Sequence, residues 1–188
     1  VLTIMNELAD KYHIRRVRDD ELELLRGFDA KRVISHMDMP KWKIPIIGND
    51  FRAMMSRDIH LIPLFDGMDQ LLPQLVQMGA TLAVVSSNSV HNVREVLGPV
   101  NAALFQYYEC GASIFGKSAK FKKIISKSGI PSNQTLSIGD EIRDIEAAKS
   151  VNIACGAVAW GYTKVEALIS HSPTTVFYEV SDIAAAVA

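Results

Sequence analysis

Three stretches of this sequence put polar side chains directly after apolar, strand-like runs. The first is Ser86-Ser87-Asn88-Ser89, which follows Leu82-Ala83-Val84-Val85. Small hydroxyl and amide residues between a strand and a helix combine side-chain donors with the N–H groups of the helix start, which suits an anion such as phosphate. Helix capping by itself explains one or two of them. The second stretch is Gly139-Asp140-Glu141-Ile142-Arg143-Asp144. If Asp140 caps the helix that follows, Asp144 lies about one turn further on and both carboxylates face one point. Hard oxygen donors of this kind suit Mg2+, which is held by one or two carboxylates together with water and phosphate. Acids favoured at a helix start account for Asp140 more easily than for Asp144. The third stretch is Phe115-Gly116-Lys117-Ser118, where a lysine at a helix entrance can set a fixed cation beside a phosphate or an attacking carboxylate. Lys117 also belongs, with Lys120, Lys122 and Lys123, to the longest basic cluster, and such a run is ordinarily the solvated side of a helix.

Other chemistries find little support. The five histidines, His13, His36, His60, His91 and His171, lack the short spacing of a zinc site. There is no Gly-x-x-x-x-Gly-Lys-Ser/Thr loop, no Gly-x-Gly-x-x-Gly loop and no Gly-x-Ser-x-Gly elbow. Twenty basic residues against 21 acidic ones leave a formal charge of −1, so no global field attracts nucleic acid or a membrane surface. Cys110 and Cys155 have no metal-type spacing and read as buried free thiols. No apolar run approaches the roughly 18 residues of a membrane span, and no signal peptide is visible, so the expected compartment is the cytoplasm.

The elements that must position these residues follow from periodicity. With 188 residues, 48% of them hydrophobic, the chain can bury a substantial core. Up to about residue 62 every pattern is helical: Leu2, Met5, Leu8, Ala9 and Tyr12 share one face, Asp19 or Asp20 precedes a short helix with Leu22 and Leu25, and Asp29 caps a helix with Val33, Ile34 and Met37. Ile47, Phe51, Met54, Met55 and Ile59 form a further stripe, with Trp42 as a packing anchor or substrate contact. Beyond Pro63, β-type runs at 81–85, 103–108, 134–138, 154–160 and 175–178 alternate with helices, the first of which ends before Gly98, and the alanine-rich tail 183–188 reads as a closing helix. The expectation is an α/β protein, a helical module over 1–64 preceding an open, mostly parallel, Rossmann-like sheet over 65–188, with ligands beyond the carboxyl ends of the strands.

The order of Ser86, Lys117 and Gly139-Asp140-x-x-x-Asp144 resembles motifs II, III and IV of the haloacid dehalogenase-like superfamily. The continuation through Ile145-Glu146-Ala147-Ala148-Lys149 and Ala157-Val158-Ala159-Trp160-Gly161-Tyr162 is similar to its phosphoglycolate-phosphatase-like branch. The resemblance implies that Ser86, with backbone N–H groups near Ser87 and Asn88, binds the transferring phosphoryl group. It implies that Lys117 pairs with phosphate and nucleophile, with Lys120 as the competing assignment because the proline that commonly follows this lysine is absent. Asp140 and Asp144 would hold Mg2+. The helical stretch would be the family's cap, mobile and closing over the site, with Arg15, Arg16, Lys41, Lys43, Arg52 and Arg57 as candidates for substrate contact.

One expected part has no counterpart here. The family's motif I, Asp-x-Asp-x-Thr/Val at the end of the central strand, supplies the nucleophile and the acid–base aspartate. No such segment occurs in this sequence. Because helical spacing already includes Val1's neighbours, the expectation is that the central strand and motif I lie upstream, about twenty residues before Val1. The implied activity is magnesium-dependent hydrolysis of a small phosphorylated metabolite through an aspartyl-phosphate. The alternatives are a phosphomutase on the same fold and a non-catalytic domain that binds a phosphate ligand or a protein. Dehalogenation needs no metal and does not favour the acidic pair.

Overall fold

A computed structural model describes residues 2–111 and 116–187; Val1, Phe115 and Ala188, which entered the reading above, lie outside the described residues. The chain forms two compact units, residues 1–61 and 62–188.

The first unit is helical, as its periodicity predicts. Helix α1 (Leu2–Tyr12) buries Ile4, Met5, Leu8 and Ala9, a spacing that lines one helical face. Two clusters share that face. Ile4 and Leu8 meet Ile47, with Phe51, Met54 and Met55 packed around them, so the methionine stripe of α4 (Ile44–Arg57) is core. Met5 and Ala9 join Val17, Leu25 and Met37, the last two contributed by α2 (Leu22–Leu25) and the end of α3 (Ala30–His36). Asp29 caps α3 by accepting the Arg32 N–H at 2.8 Å. Asp19 and Asp20, expected at a cap, instead lie inside a 3-10 turn whose cap position is Arg18. The reason is Glu21: its buried carboxylate accepts the Arg18 N–H at 3.0 Å and pairs with the Arg15 guanidinium, which holds the carboxyl below its usual range and fixes the turn. Trp42 is 71% exposed and is no packing anchor.

The second unit carries the α/β pattern. Helix α5 (Met68–Gln77) buries Leu71, Leu72 and Leu75 and leads into β1 (Leu82–Val85). There follow α6 (Val90–Ala102), β2 (Phe105–Glu109), α7 (Lys117–Ser128), β3 (Leu136–Gly139), α8 (Ile142–Lys149), β4 (Ala154–Val158), α9 (Val165–Ser170), β5 (Thr175–Phe177) and α10 (Asp182–Val187). Helix α6 does not stop before Gly98. It kinks there, at φ 69° and ψ 164°, and Pro99 restarts it with the fixed φ suited to a first turn.

All strand pairing among the described residues is parallel, but it forms two sheets: β1 pairs with β2, and β3–β4–β5 form the other. Strand β4, the middle of its sheet, is almost wholly buried, as a parallel strand covered on both faces must be. Its core includes Phe121, Ile145, Ala148, Cys155 and Leu168. Edges of β1 and β3 line one cavity of about 110 Å3, through Ala83 and Val85 on one side and Leu136, Ser137 and Ile138 on the other, with Phe121, Ile124 and Lys117 of α7 between them. Such unpaired edges are templates for a further strand. Both cysteines are free; Cys155 is buried, whereas Cys110 is only partly so. No helix among the described residues is long and apolar enough to cross a membrane.

Candidate active site

The first polar stretch continues β1 by one rung, because the Ser86 N–H donates to the Glu109 carbonyl at 3.2 Å. The chain then turns. Ser86 Oγ accepts the Asn88 N–H at 3.1 Å, a local side-chain turn, and Ser89 Oγ accepts the Asn92 N–H at 3.1 Å and so caps α6. Capping therefore accounts for Ser89. Ser86, Ser87 and Asn88 form the turn itself, which is braced across the strand ends by the Gly111 N–H donating to the Asn88 carbonyl at 2.7 Å.

The acidic stretch departs from its expected geometry at one position. Helix α8 is capped by Glu141, not Asp140: Glu141 is extended at φ −124° and ψ 149°, and its N–H donates to Asp144 Oδ2 at 3.2 Å. Asp144 is thus the third helical residue, reaching back in a capping box. Its other oxygen, Oδ1, accepts from the Lys117 ammonium, and its side chain is nearly inaccessible. Gly139 makes this placement possible, since a Cβ there would lie 2.1 Å from Asp144 Oδ2. Asp140, freed from capping, is held by the loop after β4. Its Oδ2 accepts the Tyr162 N–H at 2.8 Å, and its carbonyl accepts the Thr163 N–H at 3.2 Å. Gly161 lies so close that a Cβ on it would be 2.1 Å from Asp140 Cβ.

Helix α7 joins the two halves. Lys117 in its first turn reaches Asp144, while Lys120, one turn on and on the same face, donates to the Ser86 carbonyl at 2.5 Å and to the Gly111 carbonyl at 2.7 Å. Burial pushes the Lys120 ammonium below its ordinary pKa, and burial likewise raises the thiol of neighbouring Cys110. Helix α7 therefore ties Asp144, after β3, to the Ser86 turn, after β1, while Asp140 beside them in sequence is held by the loop after β4. Sequence reasoning assigned no role to Gly161 or the Tyr162 N–H; their only sequence signal was the Trp160-Gly161-Tyr162 run following an apolar strand.

The cap candidates behave differently. Arg15 pairs with Glu21, Arg16 with Asp10 and Arg57 with Asp58, while Lys43 donates to the Tyr12 carbonyl and Arg52 to the Asn49 side chain. Each of these five is engaged within its own unit.

The oxygen donors of Asp140 and Asp144 suit Mg2+. Among the described residues no group of three or more His, Cys, Asp or Glu is arranged around one point. Two carboxylates completed by water and phosphate match the habit of Mg2+.

The sequence model of the haloacid dehalogenase-like hydrolases matches residues 1–158. The chain belongs to this family. A phosphoglycolate phosphatase of Synechococcus elongatus is 24% identical over 188 residues, covering 100% of this chain and 89% of that protein. A phosphoglycolate phosphatase of Pseudomonas syringae pv. tomato is 24% identical over 117 residues, which is 60% of this chain and 43% of that protein. In structure, a haloacid dehalogenase-like hydrolase from Streptococcus pneumoniae superposes with a TM-score of 0.80 at 14% identity, over 98% of this chain and 88% of that one, which shows the shared fold. Within that family the chain is similar to the phosphoglycolate-phosphatase-like hydrolases. The α/β fold expected from the sequence stands.

Proposed function

We propose that this hydrolase cleaves a small phosphomonoester in a magnesium-dependent reaction through an aspartyl-phosphate. The observation that carries the reading is helix α7, whose Lys117 pairs with Asp144 after β3 and lines the cavity between the β1 and β3 edges, while its Lys120 holds the Ser86 carbonyl after β1. In this reading a further parallel strand, upstream of Val1 in the full chain, pairs with both edges and ends in the nucleophilic aspartate and the acid–base aspartate.

The residues present divide the remaining work. The turn at Ser86, Ser87 and Asn88 binds the transferring phosphoryl group through the Ser86 hydroxyl and main-chain N–H groups. Lys117 places its ammonium between phosphate and attacking carboxylate, and Asp144 orients it. Asp140 and Asp144 are the carboxylates that would hold Mg2+. When bound, the ion neutralises charge on the phosphoryl oxygens and on the attacking carboxylate. The loop at Gly161 and Tyr162 fixes the Asp140 carboxylate in advance, so that no reorganisation is needed during reaction. The helical unit acts as the cap that selects the substrate. Phosphoglycolate, named for the relatives above, is the first compound to assay, within a panel of small phosphorylated metabolites.

The test uses the chain together with the upstream strand that this reading requires. Phosphate release should require Mg2+, stop with EDTA and fall strongly in Asp140→Asn. Undiminished activity without metal would sink the proposal. Phosphate transfer to a sugar hydroxyl in place of water would convert it to a mutase.

A further inference from the structure

The two lysines of the first turns of α7 do different things. Lys117 is paired with the Asp144 carboxylate. Lys120 has no carboxylate oxygen within 4 Å among the described residues, since Glu109, the nearest acid on β2, is paired at 2.5 Å with Lys127 and at 3.9 Å with Lys123. Its ammonium is held by two main-chain carbonyls, Ser86 at 2.5 Å and Gly111 at 2.7 Å. Those carbonyls belong to the end of β1 and to the segment that leaves β2. A lysine in a partly buried place commonly finds a carboxylate, because an uncompensated charge is costly there. Here two neutral acceptors hold it beside the turn that follows β1, and no carboxylate pairs with it directly among the described residues.

Ser86 is the residue on which this converges. Its N–H is committed to Glu109, its carbonyl to Lys120 and its Oγ to the Asn88 N–H, so every polar group of Ser86 is fixed by a partner. Removing the Lys120 ammonium leaves the Ser86 and Gly111 carbonyls without this donor, and lets the strand end and the turn shift relative to α7. It also removes a positive charge from the neighbourhood of any bound anion.

We propose that Lys120 is a positioning residue for the phosphate-binding turn: it clamps the main chain of Ser86 to that of Gly111 and sets a positive charge beside that turn, which favours a phosphate dianion. This rests on the phosphatase reading above and assigns the second lysine a role distinct from that of Lys117. Lys117 acts at the reacting group, so its loss falls on kcat. Lys120 acts on a turn that holds phosphate in ground and transition states alike, so its loss falls mainly on KM.

The test compares Lys120→Met, Lys120→Gln and Lys120→Arg in the full chain with Mg2+. It reads steady-state kinetics together with calorimetric titration of inorganic phosphate. Lys120→Met should weaken phosphate binding and raise KM by at least about 10-fold, the lower end for losing a charge-assisted hydrogen bond. Lys120→Arg should recover most of that loss. Lys120→Gln, which keeps an N–H donor but no charge, should fall between them, and it carries the comparison if the methionine variant does not fold. In a Ser86→Ala background the Lys120→Met penalty should shrink, because the two residues act through one turn. An active enzyme in which Lys120→Met binds phosphate like the wild type, or loses kcat with KM unchanged, overturns this inference alone. A wild-type chain that neither binds phosphate nor releases it removes the phosphatase reading and the inference together.

Discussion

Replacing Gly161 by alanine tests whether the loop after β4 holds the Asp140 carboxylate in place. The added Cβ would stand 2.1 Å from Asp140 Cβ and 2.7 Å from its Oδ2, whereas ordinary contact begins near 3.4 Å. Something must therefore move by about 1.3 Å. The Asp140 Cβ is not the far end of a flexible chain, so the shift falls on the main chain of the loop or on the start of α8. Either movement lengthens the Tyr162 N–H bond to Oδ2, now 2.8 Å. A misplacement of about 1 Å costs roughly 100-fold in rate, and overpacking of this kind destabilises by about 1–3 kcal/mol. In the full chain, Gly161→Ala should lose about 100-fold in kcat/KM with magnesium, require more Mg2+ for half-activation, and still show a cooperative melt. Phosphate release and its Mg2+ dependence, read beside a circular-dichroism melt, make the measurement. A variant that folds and turns over at the wild-type rate and Mg2+ requirement would refute the claim that this glycine sets the carboxylate.

Four further outcomes are expected. Lys117→Met removes the cation facing Asp144 and should lower kcat by roughly 100- to 1,000-fold, as loss of a preorganised charge does, with phosphate release as the readout. Leu25→Ala, at a side chain with 0% exposure in the first unit, should cost about 2–5 kcal/mol in urea denaturation. Trp42→Ala, at 71% exposure, should stay within about 0.5 kcal/mol of wild type in the same titration. Burial pushes the Cys155 thiol up to about 11, so the folded state keeps a proton that the unfolded state gives up above pH 9. Stability should therefore fall as pH rises from 9 towards 11, by on the order of 2 kcal/mol, relative to a Cys155→Ala variant followed by thermal melting.

What could be read from the sequence was local. Helical spacing in α1 and α4 and the Asp29 cap depend on residues within about one turn of each other. Strand positions were legible for the same reason: a parallel strand covered on both faces is a short apolar run bounded by turn residues, and all five appear where such runs stand. The misplaced details were those in which two local signals competed. Asp19, Asp20 and Asp140 are all good cap residues by type, yet Arg18 and Glu141 occupy the cap positions because Glu21 and Asp144 reach back to satisfy the free N–H groups.

The amino-acid sequence by itself determined the alternation of elements, the family and the residue types available for phosphate and metal. The tertiary structure alone decided what each of those residues faces. Lys117 and Asp144 are 27 residues apart, Lys120 and Ser86 are 34 apart, and Tyr162 meets Asp140 across 22. No periodicity encodes such pairs. They depend on which strand lies beside which and on how closely the main chain of Gly139 and Gly161 lets a carboxylate approach, and both are properties of packing.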